Sequence, residues 1–216
     1  MKKGFIITLA WPEGLVTASG AWYDKFLSKK GKYRVGHSAI VLINMHSKKS
    51  YYFDFGRYHT PNGYGRVRDF ETDPDVFIID PIFKNEKILN IEDILLHISN
   101  MKSTHTEGQL YASILAGVNF TKAYCAAKKI QNKNILPYGP FVLGGTNCSR
   151  FVAGVIRASK PSFIKRLRLK YQFCISPSPK RNVSITNNHY YVVSKTTCSK
   201  VEKSKFKAYF TSIERK

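Results

Sequence analysis

Two apolar runs separated by a short polar stretch constrain this chain more than any other feature. Ser38-Ala39-Ile40-Val41-Leu42-Ile43 is almost continuously apolar, the pattern of a strand buried on both faces. Asn44 to Ser50 is polar and turn-like, and Tyr51-Tyr52-Phe53-Asp54-Phe55 is rich in the aromatic residues that strands favour. The pattern predicts an antiparallel hairpin inside a core. The chain is long enough to build that core, with 216 residues of which 43% are hydrophobic. No stretch of about 18 uninterrupted apolar residues occurs, so no membrane-spanning helix is expected.

Around the hairpin the sequence reads as an α+β domain. Phe5–Trp11 is a further strand, and Arg66–Phe70 and Val76–Ile79 are candidates for others. Ile91–Ile98, Glu107–Val118 and Thr121–Gln131 read as helices, the last capped near Asn119. Trp22–Leu27 is a candidate short helix. A helix opens at Thr146-Asn147-Cys148-Ser149, with Phe151, Val152, Val155 and Ile156 on one face. Beyond Pro161 only a strand at Tyr190–Val193 and another at Lys207–Ile213 stand out. We therefore expect a domain over 1–185 and a basic extension over 186–216 packed on it.

Charge bounds the partners. Lys and Arg number 35 against 14 Asp and Glu, a net of +21. From Lys160 to Lys216 fourteen basic residues face Glu202 and Glu214, a net of +12. An anionic surface or polymer, nucleic acid included, is a possible partner for this C-terminal third, although no groove-reading motif accompanies the charge. Cys125, Cys148, Cys174 and Cys198 form no CxxC or His/Cys cluster, which argues against structural zinc and for reduced thiols. No cofactor or metal is expected. At the N-terminus, Gly4–Trp11 after Lys2-Lys3 mimics a short signal peptide, and Ala18-Ser19-Gly20-Ala21 mimics a cleavage site. Pro12-Glu13-Gly14 breaks the run early, so a first strand fits better. The expected location is the cytoplasm, or outside it by export without a cleavable signal.

The chemistry concentrates in three segments. Gly144-Gly145-Thr146-Asn147 lets the backbone turn sharply and caps the following helix, which puts Cys148 in its first turn. Unsatisfied N–H groups and the helix dipole there favour a thiolate and can form part of an oxyanion hole. Gly36-His37 stands at the mouth of the apolar strand, where an imidazole can face a cleft. Asp54 sits among aromatic residues, where a carboxylate is costly unless paired. Direct opposition of His37 and Asp54 needs pair numbers summing to 91, with the turn at Met45-His46. Arg57 competes for Asp54 as a structural partner.

The order of His on one strand, a polar residue on the next, then Cys at a helix start resembles circularly permuted papain-like proteins. These include relatives of NlpC-type cell-wall peptidases and lecithin–retinol acyltransferase-like enzymes. In unpermuted papain-like enzymes the Cys precedes the His, whereas here His37 precedes Cys148. The segment Gly4 to about Ile185 also resembles a bacterial family marked by Tyr52-Phe53-Asp54-Phe55-Gly56-Arg57-Tyr58 and Gly65-Arg66-Val67-Arg68, which supplies no substrate. The resemblance implies Cys148 as nucleophile, His37 as base and Asp54 as the group orienting it. It implies a thiol-dependent amidase or peptidase acting on peptide or peptidoglycan-like substrates. Asn147, Arg57, Arg66 and Arg68 are candidates for substrate binding. The alternatives are an acyl or lipid transferase of the same fold, or a basic binding module in which Cys148 is incidental. Oligomeric state is not legible.

Overall fold

The computed structural model describes residues 3–17, 25, 30, 32–34, 36–104, 108–140, 142–171 and 178–203. An eight-stranded antiparallel sheet organises them, in the order β10-β6-β5-β4-β1-β9-β11-β12. Its centre is β1 (Lys3–Trp11) beside β4 (His37–Asn44). Outward on one side lie β5 (Lys49–Gly56), β6 (Tyr64–Arg68) and β10 (Leu136–Pro137). On the other lie β9 (Leu110–Asn119), β11 (His189–Val193) and β12 (Cys198–Glu202). Two small hairpins stand apart, β2 (Leu15–Thr17) with β3 (Lys32–Arg34) and β7 (Phe83–Lys84) with β8 (Lys87–Ile88).

Helices cover both faces of the sheet, which is why β1 and β4 are apolar at nearly every position. On one face Ile7, Leu9, Ala39, Val41 and Ile43 pack with Ile91, Ile94, Leu95 and Ile98 of α1 (Ile91–Asn100). Those four residues follow a helical period, and Glu92 and Asp93 in the first turn suit the helix dipole. The opposite face carries α2 (Phe120–Gln131), capped by Asn119 Oδ1, and α3 (Cys148–Ala158). There Ile6, Ile40, Leu42, Phe53 and Phe55 meet Phe151, Val152, Val155 and Ile156. Leu169 of α4 (Phe163–Lys170) and Ile185 of α5 (Pro179–Thr186) complete that side.

Several expectations are corrected. Glu107–Val118 is not a helix, because 110–119 is β9, hydrogen-bonded between β1 and β11. Its Leu and Ala content suggests a helix, but a slot in mid-sheet outweighs propensity. Val76–Ile79 forms no strand. Pro74–Val76 is one 3-10 turn, and Val76 and Ile78 anchor the loop in the α1-side core. The helices α4 and α5 were not anticipated. The boundary expected at 185 falls at the end of α5, and the chain beyond it returns as β11 and β12 of the same sheet. The helix expected over 22–27 (Lys25 apart), the strand over 207–213 and the cleavage-site mimic at 18–21 lie outside the described residues. No helix among the described residues is long and apolar enough to cross a membrane.

Candidate active site

The hairpin register decides which side chains meet. Asn44 pairs with Lys49 across a turn of Met45–Lys48, and Ala39 stands opposite Asp54. Asn44 Oδ1 accepts the backbone N–H groups of His46 and Ser47, and Lys48 adopts a left-handed φ of 54°. The pair numbers therefore sum to 93 rather than 91. A shift of two keeps the parity, so His37 and Asp54 remain on one face and meet diagonally. His37 Nε2 lies 2.9 Å from Asp54 Oδ2.

Gly36 fixes where the imidazole stands. Its φ is +67°, and its N–H donates to Gly14 O at 3.0 Å. An added Cβ would lie 2.3 Å from Trp11 O, so only glycine fits. Trp11 pairs with His37 across the β1–β4 ladder and stacks its ring 5.9 Å away. The imidazole is thereby walled on one side and only 15% exposed.

Asp54 is fully buried and completely engaged. Arg68, directly opposite it on β6, donates from Nε to Oδ1 at 3.1 Å and from Nη2 to Oδ2 at 2.9 Å. The hydroxyls of Tyr52 and Tyr58 donate to Oδ2 at 3.0 and 2.8 Å. Arg68 also donates to Ser103 O, and its guanidinium lies 3.5 Å from the centre of the Tyr58 ring. Burial alone would raise the Asp54 pKa. The bonds to His37 and Arg68 and their positive charges outweigh it and hold the carboxyl far below the usual range.

Two of the proposed substrate-binding arginines are placed otherwise. Arg68 is 3% exposed and serves Asp54, so it has no surface to offer a substrate. Arg66 forks onto Asp73, with both bonds 2.7 Å, and reaches Tyr58 O. Its position braces the loop after β6. Arg57, which makes none of the Asp54 bonds given above, lies 5.6 Å from the centre of the Tyr138 ring.

Cys148 opens α3, as expected. Gly144 takes φ +70°, and Thr146 N–H closes back on Pro137 O at 3.0 Å. Asn147, not Thr146, caps the helix: its Oδ1 accepts Arg150 N–H at 2.9 Å. Cys148 is 5% exposed. Tyr138 Oη and Ser149 Oγ each lie 3.9 Å from Sγ. Cys148 heads a helix on one face of the sheet, whereas His37 and Asp54 belong by parity to the other. They meet because His37 is the first residue of β4, where the sheet ends.

Electrostatics favour the ion-pair form. Burial raises the Cys148 pKa, but the hydrogen bond and charge of His37, with Ser149 and the Ser38 N–H, bring it below the ordinary thiol value. Burial likewise pushes His37 down, but bonds to Asp54 and then Cys148 raise it from 6.5 to about 9. With Nε2 held by Asp54, Nδ1 is the nitrogen left for the sulfur. Tyr138 and Tyr58 are held protonated, foremost by burial and next by the charges of Cys148 and Asp54 respectively. Of the other cysteines, Cys125 and Cys198 are free thiols and Cys174 lies outside the described residues. No group of three or more metal-ligating side chains occurs among the described residues.

Tyr52, Tyr58 and Tyr138 escaped the sequence reading. For Tyr52 and Tyr58 the available signal was spacing: two and four residues from Asp54, around the end of one strand. Tyr138 had none, since its approach depends on the β10–β6 pairing and the bridge from Tyr138 to Thr146.

Comparison with known proteins gives two findings. A family model described as type VI secretion system effector TseH-like matches residues 6–163, which include His37, Asp54 and Cys148. The crystal structure of the type VI secretion system effector TseH is similar with a TM-score of 0.65, covering 93% of this chain and 99% of that one at 17% identity. No curated protein matches.

Proposed function

The chain belongs to the TseH-like family of type VI secretion system effectors, and from that membership we propose that it is a cysteine amidase or peptidase of circularly permuted papain-like type, acting on cell-wall peptides. The observation that carries the reading is the buried relay from Arg68 through Asp54 and His37 to Cys148. A thiolate paired with an imidazolium is the resting form such chemistry requires.

The Cys148 thiolate attacks the amide carbonyl carbon and forms an S–C bond. The negative charge moves to the carbonyl oxygen, beside the Cys148 N–H and the Tyr138 hydroxyl. As the tetrahedral species collapses the C–N bond breaks, and His37 Nδ1 gives its proton to the departing amine. Water then attacks the thioester while neutral His37 takes a proton from it. The C–S bond breaks, the acid is released and the ion pair returns. Throughout, Asp54 keeps the Nε2 proton and so fixes the tautomer. Arg68 and the two tyrosines fix Asp54. Asn147 acts as the cap that aims Cys148, and Arg57, over the Tyr138 ring, is the candidate among the arginines for a substrate carboxylate.

Purified bacterial peptidoglycan and its peptide-bearing fragments test the reading, with products weighed by mass spectrometry. Wild type should yield fragments that together gain one water, and Cys148→Ala and His37→Ala should yield none. Intact substrate with wild type, together with iodoacetamide labelling Cys148 no faster than Cys125 below pH 7, would overturn it.

A further inference from the structure

The helix that follows the one opened by Cys148 has an outer face that the proposed chemistry does not use. On α4, Phe163 is 73% exposed, Ile164 66% and Leu167 46%, and the C-cap Tyr171 is 62% exposed. At helical spacing 163, 164 and 167 share an arc of about 100°, and Tyr171 continues it. Four large apolar side chains side by side approach the largest patch a monomer normally shows, about 300–600 Å². Arg166 and Lys170, both exposed, border the stripe on one side. The inner face is anchored by buried Leu169 and by Lys165, whose ammonium donates to Thr186 O.

Charge narrows what can cover this face. Another copy of a chain with net charge +21 is repelled. The occupant must be apolar at its centre and negative around it. An exposed apolar stripe bordered by Arg166 and Lys170 suits a lipid surface: apolar side chains enter the acyl boundary while arginine and lysine stay among the headgroups.

We propose that α4 docks the protein on an anionic phospholipid bilayer. The full chain is mixed with vesicles of phosphatidylcholine, with or without an equal part of phosphatidylglycerol, and floated on a density gradient. Wild type should float with the phosphatidylglycerol vesicles and stay behind with pure phosphatidylcholine. The triple variant Phe163→Ser/Ile164→Ser/Leu167→Ser keeps every charge and should bind about tenfold or more weakly. Arg166→Gln/Lys170→Gln should also lose about tenfold. Thermal unfolding checks that each variant folds, and Ile164→Ser alone, with a smaller loss, serves if the triple does not. Equal flotation of a folded serine variant and wild type would overturn the proposal, since the charge would then adsorb without insertion. Failure of wild type to bind would overturn it too and turn the search to an acidic protein. Cys148→Ala should bind like wild type, so vesicle binding and hydrolysis stand or fall separately.

Discussion

The two ends of β5 carry the same pair of charges with opposite consequences. Near its start, Lys49 meets Asp80 at 2.5 Å, with side chains 60% and 40% exposed. Near its finish, Asp54 meets Arg68 at 2.9 Å, with both groups out of water. The first pair is screened by solvent and contributes little. The second would be too costly to bury on its own, and it persists because every oxygen of the carboxylate has donors. That saturation turns an ion pair into a fixed support for the imidazole. Burial and hydrogen-bond completeness, not proximity of opposite charges, separate a site from a surface contact.

Asp54→Asn breaks the buried pair and should have the largest effect. It strands Arg68 without its counter-charge, so urea unfolding should show a loss of about 3–5 kcal/mol. Hydrolysis by the fraction that still folds should fall by about 10²–10⁴, because His37 loses its tautomer control. Near-normal stability and rate would mean that the pair is an ordinary contact.

The pH dependence of stability sharpens the contrast with a medium effect. The His37 pKa is raised from 6.5 to about 9. The stability it contributes is complete below pH 6.5, declines above that and is gone once pH passes about 9. Asp54, held low, contributes in full above its unfolded value of about 3.9, and that contribution fades only in acid. The lowered Cys148 pKa offsets part of this loss as pH rises, so the melting temperature should fall modestly from pH 6.5 to 9.5, and His37→Gln, which removes both shifts, should flatten that slope. An unchanged slope in the variant would assign the loss to other groups. The smallest effect belongs to the exposed pair: Lys49→Ala should leave melting temperature and hydrolysis unchanged. A clear drop in either would erase the distinction between the two ends.

The sequence discloses these elements unevenly, for physical reasons. The hairpin was legible because burial on two faces forces an unbroken apolar run. The place of Cys148 at a helix start was legible because the glycines, the Asn147 cap and the cysteine are contiguous. Arg68 was not, since nothing local says that β6 returns with residue 68 opposite residue 54. Arg57, three residues from Asp54 in the chain, was the nearer guess and the wrong one. Segment 110–119 was misread because its alanines and leucines satisfy a helix, whereas its position between β1 and β11 is a tertiary fact. Of the helices after Pro161, α4 shows little periodicity inward, since it buries a single apolar residue, Leu169.

The β4–β5 hairpin also has a meaning in time. His37 and Asp54 are separated by 17 residues and joined by one tight turn, so closing that loop costs little entropy. Cys148 arrives only after β9 and α2 have been laid down, and it reaches His37 through contacts distant in sequence, which form late. A chain growing from its N-terminus thus carries His37 and Asp54 before Cys148. Until α3 docks, the imidazole has a carboxylate for company and no sulfur to ionise. The pairing of His37 with Cys148 therefore waits on the wider sheet, whereas the pairing of His37 with Asp54 needs one hairpin.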